Sequence, residues 1–427
     1  MEIGTMSGIR PLDSLDYCSR TVLLRVDINS PIDNKTKKIV NENRIKKSIP
    51  TIKYLLEHHA RLAIIAHQGD TLDYMNLIPM KEHAEKLSKL LGTEVKYIDD
   101  VCGPAAQESI RCLKPGEAVL LGNLRYLCEE VSTFEDAVKL KPEEMLETYL
   151  VRSLEPLIDI YVNDAFAAAH RNCPSMTAFQ EMKPTAGGVL LMEEVEALTR
   201  VMEKPEKPSV FVLGGAKISD AFGMMKQVLE NGSADKILAC GITGEIMLMA
   251  QGKSLGNIKE QFLKDRSLDV FISPAKEYLK DYPDKIAVPL DLAYEKNGQR
   301  FEIDITELPQ EELFMDIGAK TIDMFKKIIK DAGTIFVNGP AGVYENSLFE
   351  KGTREVWKAI ADAGGYSVIG GGDTVSAASR FIDLKDINYV CTAGGAMVRF
   401  LSGKKLPLIE AMKKAAECPA EKGCRYA

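Results

Sequence analysis

Apolar positions along the chain fall into short unbroken runs rather than strict alternation. TVLLRVDIN (21–29), RLAIIAHQ (61–68), VKYID (95–99), AVLLGNLRY (118–126) and DIYVNDAF (159–166) form a first series. PSVFVLGG (208–215), KILACG (236–241), KIAVPLDL (285–292), TIFVNGP (334–340), YSVIGGGDT (366–374) and INYVCTAGG (387–395) form a second. Between them, segments such as ENRIKKSIPTIKYLLEHH, MKEHAEKLSKLL, MDIGAKTIDMFKKIIKDA and TREVWKAIADA repeat apolar residues at helical spacing, which predicts helices with one buried face. Strands that are apolar on both faces and alternate with helices predict parallel sheets covered on both sides. The expected fold is α/β, with two doubly wound parallel-sheet (Rossmann-like) domains.

The two series are separated by KPTAGGVLLMEEVEALTRVMEKPEKP, which carries Pro184 and Gly187-Gly188, reads as a connecting helix over 187–204, and closes on Pro205 and Pro208. This places one domain at 1–186 and a second at 187–405. A length of 427 residues also exceeds what a single core usually serves.

Charge narrows the choice of ligand. A net charge of -8 removes the attraction that nucleic acids and acidic membranes require, while local basic residues still allow a small anion. The nine cysteines form no C-x-x-C pair and no regular spacing, so neither a zinc site nor a disulfide framework is indicated. The N-terminal stretch lacks an apolar core, and no run reaches the ~18 apolar residues of a membrane helix. A cytoplasmic protein is expected.

Open α/β sheets bind ligands beyond the carboxyl edges of their strands. In the first half those edges carry Asp27, Asn29, His67, Arg125, Asn163, Asp164, His170 and Arg171, with Arg44 just inside the first helix. Each alone is equally well a surface ion pair or a helix cap. Three arginines and two histidines on one edge suit a substrate bearing phosphate or carboxylate. His58, His59 and His83 fall in charged or terminal helical stretches and read as solvated, and Trp357 reads as packing.

In the second half the strands end in LGGAK (213–217), CGITG (240–244), PLDL (289–292), NGPAG (338–342), GGGDT (370–374) and TAGG (392–395). Repeated glycines let backbone amides approach a polyphosphate at helix starts. The P-loop pattern fails, because Met247 stands where the first glycine before Gly252-Lys253-Ser254 belongs, and G-x-G-x-x-G fails at Val375. Asp373 fits either a magnesium contact or a helix N-cap together with Thr374.

These residues in their order resemble the phosphoglycerate kinase family over essentially the whole chain. RVDINSPID (25–33), NRIKKSIPTIKYL (43–55), NLRY (123–126) and NDAFAAAHR (163–171) are similar to its substrate side; GGAKISD (214–220), NGPAGVYE (338–345), GGGDT (370–374) and TAGGA (392–396) are similar to its nucleotide side. His67-Gln68 and DAFAAAHR lean toward archaeal-type members.

The resemblance implies two domains separated by a hinged cleft, with hinges near 184–190 and 400–406 and a C-terminal segment, 406–427, packing back on the first domain. It implies reversible transfer of the acyl phosphate of 1,3-bisphosphoglycerate to ADP, giving 3-phosphoglycerate and ATP, with Mg²⁺ accompanying the nucleotide. Asp27, Asn29, Arg44, His67, Arg125 and Arg171 would hold the substrate, with Asp70 at the edge of that site. Gly214, Gly215, Lys217, Asn338, Pro340, Glu345, Gly371, Gly372, Asp373 and Thr374 would hold the nucleotide, Glu345 at the ribose and Asp373 at the metal. Arg44, Lys217 and the amides of Gly371 and Gly372 would act on the migrating phosphoryl group.

No strong base stands out, in keeping with an attacking oxygen that is already ionised.

Two positions depart from the family pattern. Asp70 stands where the family usually has an arginine that helps bind substrate phosphate; an anion held close to it would be repelled by about 4 kcal/mol at an effective dielectric of ~20. Ala221 stands where many members have a second lysine. Ala341 and Ala393 are milder changes. These departures keep two alternatives open: a paralogue that binds a phosphometabolite or nucleotide without catalysis, and a kinase for a different phosphorylated carboxylic acid.

Overall fold

The computed structural model describes residues 8–70 and 74–419. The chain divides into two compact units, one running to Glu196 and resuming at Lys405, the other spanning Ala197–Lys404.

In the first unit the predicted runs become β1 (Thr21–Val26), β2 (Arg61–Ile65), β3 (Val95–Tyr97), β4 (Ala118–Leu120) and β5 (Ile160–Asp164), joined by β6 (Thr185–Gly187). All pair in parallel, in the order β3-β4-β2-β1-β5-β6. Leu23, Leu24, Ile64 and Val162 are fully buried, which explains why these strands lack the alternation of a half-exposed sheet. The chain moves outward from β1 in one direction through β2 and in the other through β5, so the strand order reverses beside β1.

The second unit begins with β7 (Ser209–Leu213), β8 (Lys236–Ala239) and β9 (Ile286–Ala287). It continues with β10 (Asp291–Lys296), β11 (Gln299–Asp304), β12 (Phe314–Ile317), β13 (Thr334–Asn338), β14 (Tyr366–Ile369) and β15 (Tyr389–Val390). A parallel sheet takes the order β15-β14-β13-β7-β8-β9, and β11-β10-β12 form a separate antiparallel sheet. Here the sequence reading needs correction. KIAVPLDL is two strands in two different sheets, because Pro289 interrupts the run and a residue without an N–H ends a ladder. The hairpin turn at Asn297-Gly298, with both residues at positive φ, is an Asn-Gly signal that the reading passed over. Reversal of strand order falls between β7 and β13.

Two further corrections concern individual residues. His83 is fully buried, and Nε2 lies 3.0 Å from Gln68 Oε1; the charged residues around it in the sequence occupy the other face of its helix, Lys81–Leu91. Burial lowers its pKa to about 4. Asp164 does not face a ligand edge. Its Oδ1 accepts from the Leu191 amide at 3.0 Å, at the start of the helix Val189–Glu203, and burial raises its pKa to about 7. Gly188 is required there, since a Cβ would meet Asp164 Oδ1 at 2.3 Å. Trp357 is 1% exposed and belongs to the core.

The C-terminal helix Pro407–Glu417 belongs to the first unit. Lys414 pairs with Glu181 at 2.7 Å, and Arg10 donates to the carbonyls of Thr185, Ala416 and Cys418. Among the described residues seven cysteines are free, whereas Cys418 is disulfide-bonded.

Candidate active site

The first unit gathers cations beyond β1 and β2. Asp27, 5% exposed, follows β1 and accepts from Arg44 Nη1 at 3.1 and 3.2 Å. It also accepts from the Asn29 amide at 3.1 Å, while Asn29 Oδ1 accepts from the Gly69 amide at 3.0 Å. Loop and helix are thereby fixed to each other before any ligand arrives.

His67 is buried directly after β2. Arg25 Nη2 lies 2.8 Å from His67 Nδ1, and a guanidinium can only donate, so Nδ1 accepts and Nε2 carries the proton. Burial, and then the charges of Arg25, Arg125, Arg44 and Arg171, hold the imidazole neutral, with a pKa well below its usual value. Arg25 also donates to Ser175 Oγ at 3.3 Å, which donates in turn to Glu130 Oε2 at 2.6 Å. Sequence reasoning missed this rear layer, because Arg25 and Glu130 lie inside the fold rather than at its edge.

Gln68 braces the same region: it exchanges two hydrogen bonds of 2.9 Å with Ser30, and its amide donates to Asn123 Oδ1 at 3.1 Å.

Arg125 and Arg171 add two further guanidinium groups to this edge. Burial, and then the nearby Arg171, pull the Arg125 guanidinium below its usual pKa. Arg171 Nε donates to Glu135 Oε2 at 2.5 Å, yet its Nη2 is buried without a hydrogen-bond acceptor. A buried guanidinium donor left unmatched is costly, and an anionic ligand would satisfy it. His170 is half-buried beside this group, whereas Asn163 serves the scaffold, donating to Tyr161 at 2.7 Å. Asp70 is exposed.

The second unit holds a cavity of about 570 Å³ lined by residues that follow β7, β8, β13 and β14. It opens where the strand order reverses, the expected ligand position in such a sheet. Gly214, Gly215, Lys217, Asn338, Pro340, Glu345, Gly371, Gly372, Asp373 and Thr374 all line it. Their parts differ from the sequence expectation in one respect. The amides of Gly214 and Gly215 are already donated, to Asn338 O at 2.9 Å and Pro340 O at 2.8 Å, so these glycines bring two loops together instead of offering N–H groups. At Gly339, φ is +90° and a Cβ would meet Gly214 O at 2.2 Å.

Uncommitted amides arise instead at the helix Gly372–Phe381. Its first backbone bond is Val375 N to Gly371 O, so the N–H groups of Gly372, Asp373 and Thr374 precede the helical ladder, as the first turn of any helix requires. Thr374 Oγ1 accepts from the Gly339 amide at 2.8 Å, and Asn338 Nδ2 donates to Gly370 O at 3.0 Å. The N-cap is Gly371, with no side-chain cap bond; this removes the capping alternative for Asp373. Lys217 Nζ lies 3.6 Å from Asp373 Oδ2, and both side chains are 72% exposed. Ala221 is buried in the helix Ile218–Glu230.

Among the described residues no three His, Cys, Asp or Glu side chains converge as a metal cage. A single exposed carboxylate beside free amides fits a Mg²⁺ ion that arrives with phosphate oxygens and water as its other ligands. The cavity is also lined by the apolar Ile242, Leu292, Leu313, Phe314, Met315 and Val343. Leu313, Phe314 and Met315 also escaped sequence reasoning, since they belong to β12 and the residue before it in the antiparallel sheet.

The family model described as "Phosphoglycerate kinase" matches residues 12–404. The phosphoglycerate kinase of Methanococcus maripaludis is 42% identical over 410 residues, covering 95% of this chain and 98% of that protein. That of Methanothermus fervidus is 40% identical over 404 residues, covering 95% and 97%. The crystal structure of phosphoglycerate kinase from Pyrococcus horikoshii OT3 superposes with a TM-score of 0.83 at 38% identity, covering 96% of this chain and 100% of that one. The structure from Coxiella burnetii gives 0.81 at 31% identity, with 96% and 100% covered.

Proposed function

We infer, from the premise that this chain belongs to the phosphoglycerate kinase family, that its two ligand regions serve one reversible reaction. The phosphoryl group on the carboxyl of 1,3-bisphosphoglycerate passes to ADP, yielding 3-phosphoglycerate and ATP, and the reverse direction uses the same groups. The chain is a phosphotransferase of glycolysis, working in the cytoplasm. The observation that best supports this reading is the buried cationic cluster ending in the unmatched Nη2 of Arg171, which suits a small substrate carrying several negative charges.

The attacking oxygen, on ADP or on the carboxylate of 3-phosphoglycerate, is ionised at neutral pH, so no side chain need remove a proton. Catalysis reduces to alignment and charge neutralisation. Asp27 and Asn29 set the loop, and Arg44, Arg125 and Arg171 bind the anionic groups of the phosphoglycerate. His67, kept neutral with its proton on Nε2, donates a hydrogen bond and does not act as a base. Lys217 and the amides at the start of the helix Gly372–Phe381 meet the migrating phosphoryl group, and Glu345 reaches the ribose. Asp373 would hold a Mg²⁺ ion bound with the nucleotide, and that ion would supply neutralisation of phosphate charge. Asp70 is exposed, where solvent screens its charge and weakens the repulsion expected from a close pair.

A coupled assay with 3-phosphoglycerate and Mg-ATP tests the assignment. Steady turnover is expected. Tight binding of both ligands without turnover would replace this reading with that of a binding protein, and turnover only with another phosphorylated acid would replace the substrate.

A further inference from the structure

One pair of charges in the cavity wall has no part in holding phosphates. Glu245 lies in the helix Gly241–Ala250 and Lys259 in the helix Asn257–Asp265. Both line the cavity, yet the side chains are only 5% and 4% exposed, with Lys259 Nζ 2.8 Å from Glu245 Oε2. Lys259 also donates to the Phe314 carbonyl at 3.1 Å and lies 4.8 Å from the centre of the Phe262 ring. Among the described residues Lys259 is the one partner of Glu245.

Burying two charges is costly, and apolar residues of similar size would tie the two helices together at least as well. The location supplies a use. With one carboxylate oxygen turned to Lys259, the other remains an acceptor; with two of its N–H groups engaged, the ammonium retains one donor. An acceptor beside a donor, flanked by Phe262, Phe314 and Ile242, presents what the polar edge of a flat heteroaromatic ring requires. Lys217 and Asp373, on the phosphate-directed side, are 72% exposed, whereas this pair is almost wholly buried; phosphates remain near solvent, and the buried pair is left to the base.

We propose that Glu245 and Lys259 read the nucleobase, Glu245 accepting a hydrogen bond from an exocyclic amino group while Lys259 donates to the neighbouring ring nitrogen, so that the site selects an adenine-type base over a 6-oxopurine. This rests on the reading of the cavity as the nucleotide site. A 6-oxopurine puts an acceptor against the carboxylate and a ring N–H against the ammonium, leaving both pairs mismatched, and sites built to bond an N–H discriminate strongly against its absence.

Calorimetric titration of the full chain with Mg-ADP and with Mg-IDP tests the proposal without relying on turnover. The wild type is expected to bind Mg-ADP at least ~10-fold more tightly, on the scale of one mismatched buried hydrogen bond. The double variant Glu245→Met/Lys259→Met removes both charges at similar volume, and is expected to bring the two affinities within about threefold. Should that variant fail to melt cooperatively, Glu245→Gln, whose amide can present either a donor or an acceptor, is expected to narrow the ratio. Equal affinities in the wild type, a preference for Mg-IDP, or an undiminished ratio in a folded variant would overturn the proposal and leave the nucleotide site standing. Failure of the wild type to bind either diphosphate would instead bring down the nucleotide reading itself, and this one with it.

Discussion

The two candidate ligand regions, on the reading proposed above, solve the same problem, holding anions, with opposite materials. In the first unit the candidate groups are side chains fixed from behind: the charged Arg44 on Asp27, and the neutral His67 on Arg25, with Ser175 and Glu130 beneath. In the second they are backbone amides at a helix start, served by one lysine that is 72% exposed. A buried guanidinium needs partners that keep it charged and aimed, so its site draws on residues deep in the core. An amide at a helix terminus is aimed by the helix itself, and needs only glycine nearby to let a ligand approach. Damage should therefore spread differently: in the first region substrate binding and stability are coupled, in the second they are separable.

The largest expected effect tests that separation directly. Lys217→Met should lower kcat by ~100-fold or more, about 3 kcal/mol of lost transition-state stabilisation, while differential scanning calorimetry finds the melting temperature unchanged. A matching drop in melting temperature would contradict the contrast. Next comes the one place where the second region depends on exact backbone packing. Gly339→Ala forces a Cβ into Gly214 O at positive φ and should cost about 2–3 kcal/mol of stability, seen in urea denaturation together with weakened Mg-ADP binding.

The coupling in the first region is read through pH. The His83 pKa is lowered to about 4 in the folded state, below the ordinary value near 6.5. The unfolded chain therefore takes up a proton that the folded chain refuses, and stability present above pH 6.5 is lost as the pH falls toward 4. His83→Gln, which can keep a donor toward Gln68, should abolish about 2 kcal/mol of the decline between pH 7 and pH 5. Asp164, raised to about 7, acts in the opposite sense in both proteins and cancels in the difference. The smallest effect is a gain: Asp70→Arg should lower the KM for 3-phosphoglycerate about three- to tenfold, roughly 1 kcal/mol, without altering the KM for ATP.

What the sequence disclosed follows the same division. Residues that stand at the end of an apolar run, such as Asp27, His67, Lys217 and Asp373, were legible in position because the run fixes their place at a sheet edge. Those that act through another residue were not: Arg25 and Glu130 are separated by more than a hundred positions and have no periodic signature. His83 was misplaced because its sequence neighbours are charged, while the helix turns it to the opposite side. The hairpin between β10 and β11 went unnoticed beneath the expectation of continued parallel strands, and with the antiparallel sheet went Phe314 and Met315 of the cavity wall. Gly214 and Gly215 were found for a reason that only half applies, since their amides are spent within the fold.

The return of the chain to its first unit has a consequence for biosynthesis. Arg10 closes on the carbonyls of Ala416 and Cys418, and Leu408, Ile409 and Met412 of the last helix are buried. A ribosome therefore completes every residue of the later unit before it releases the pieces that finish the earlier one. During translation the opening two hundred residues wait with an apolar seam uncovered, and the order of emergence from the exit tunnel is the reverse of the order in which the two halves can become whole.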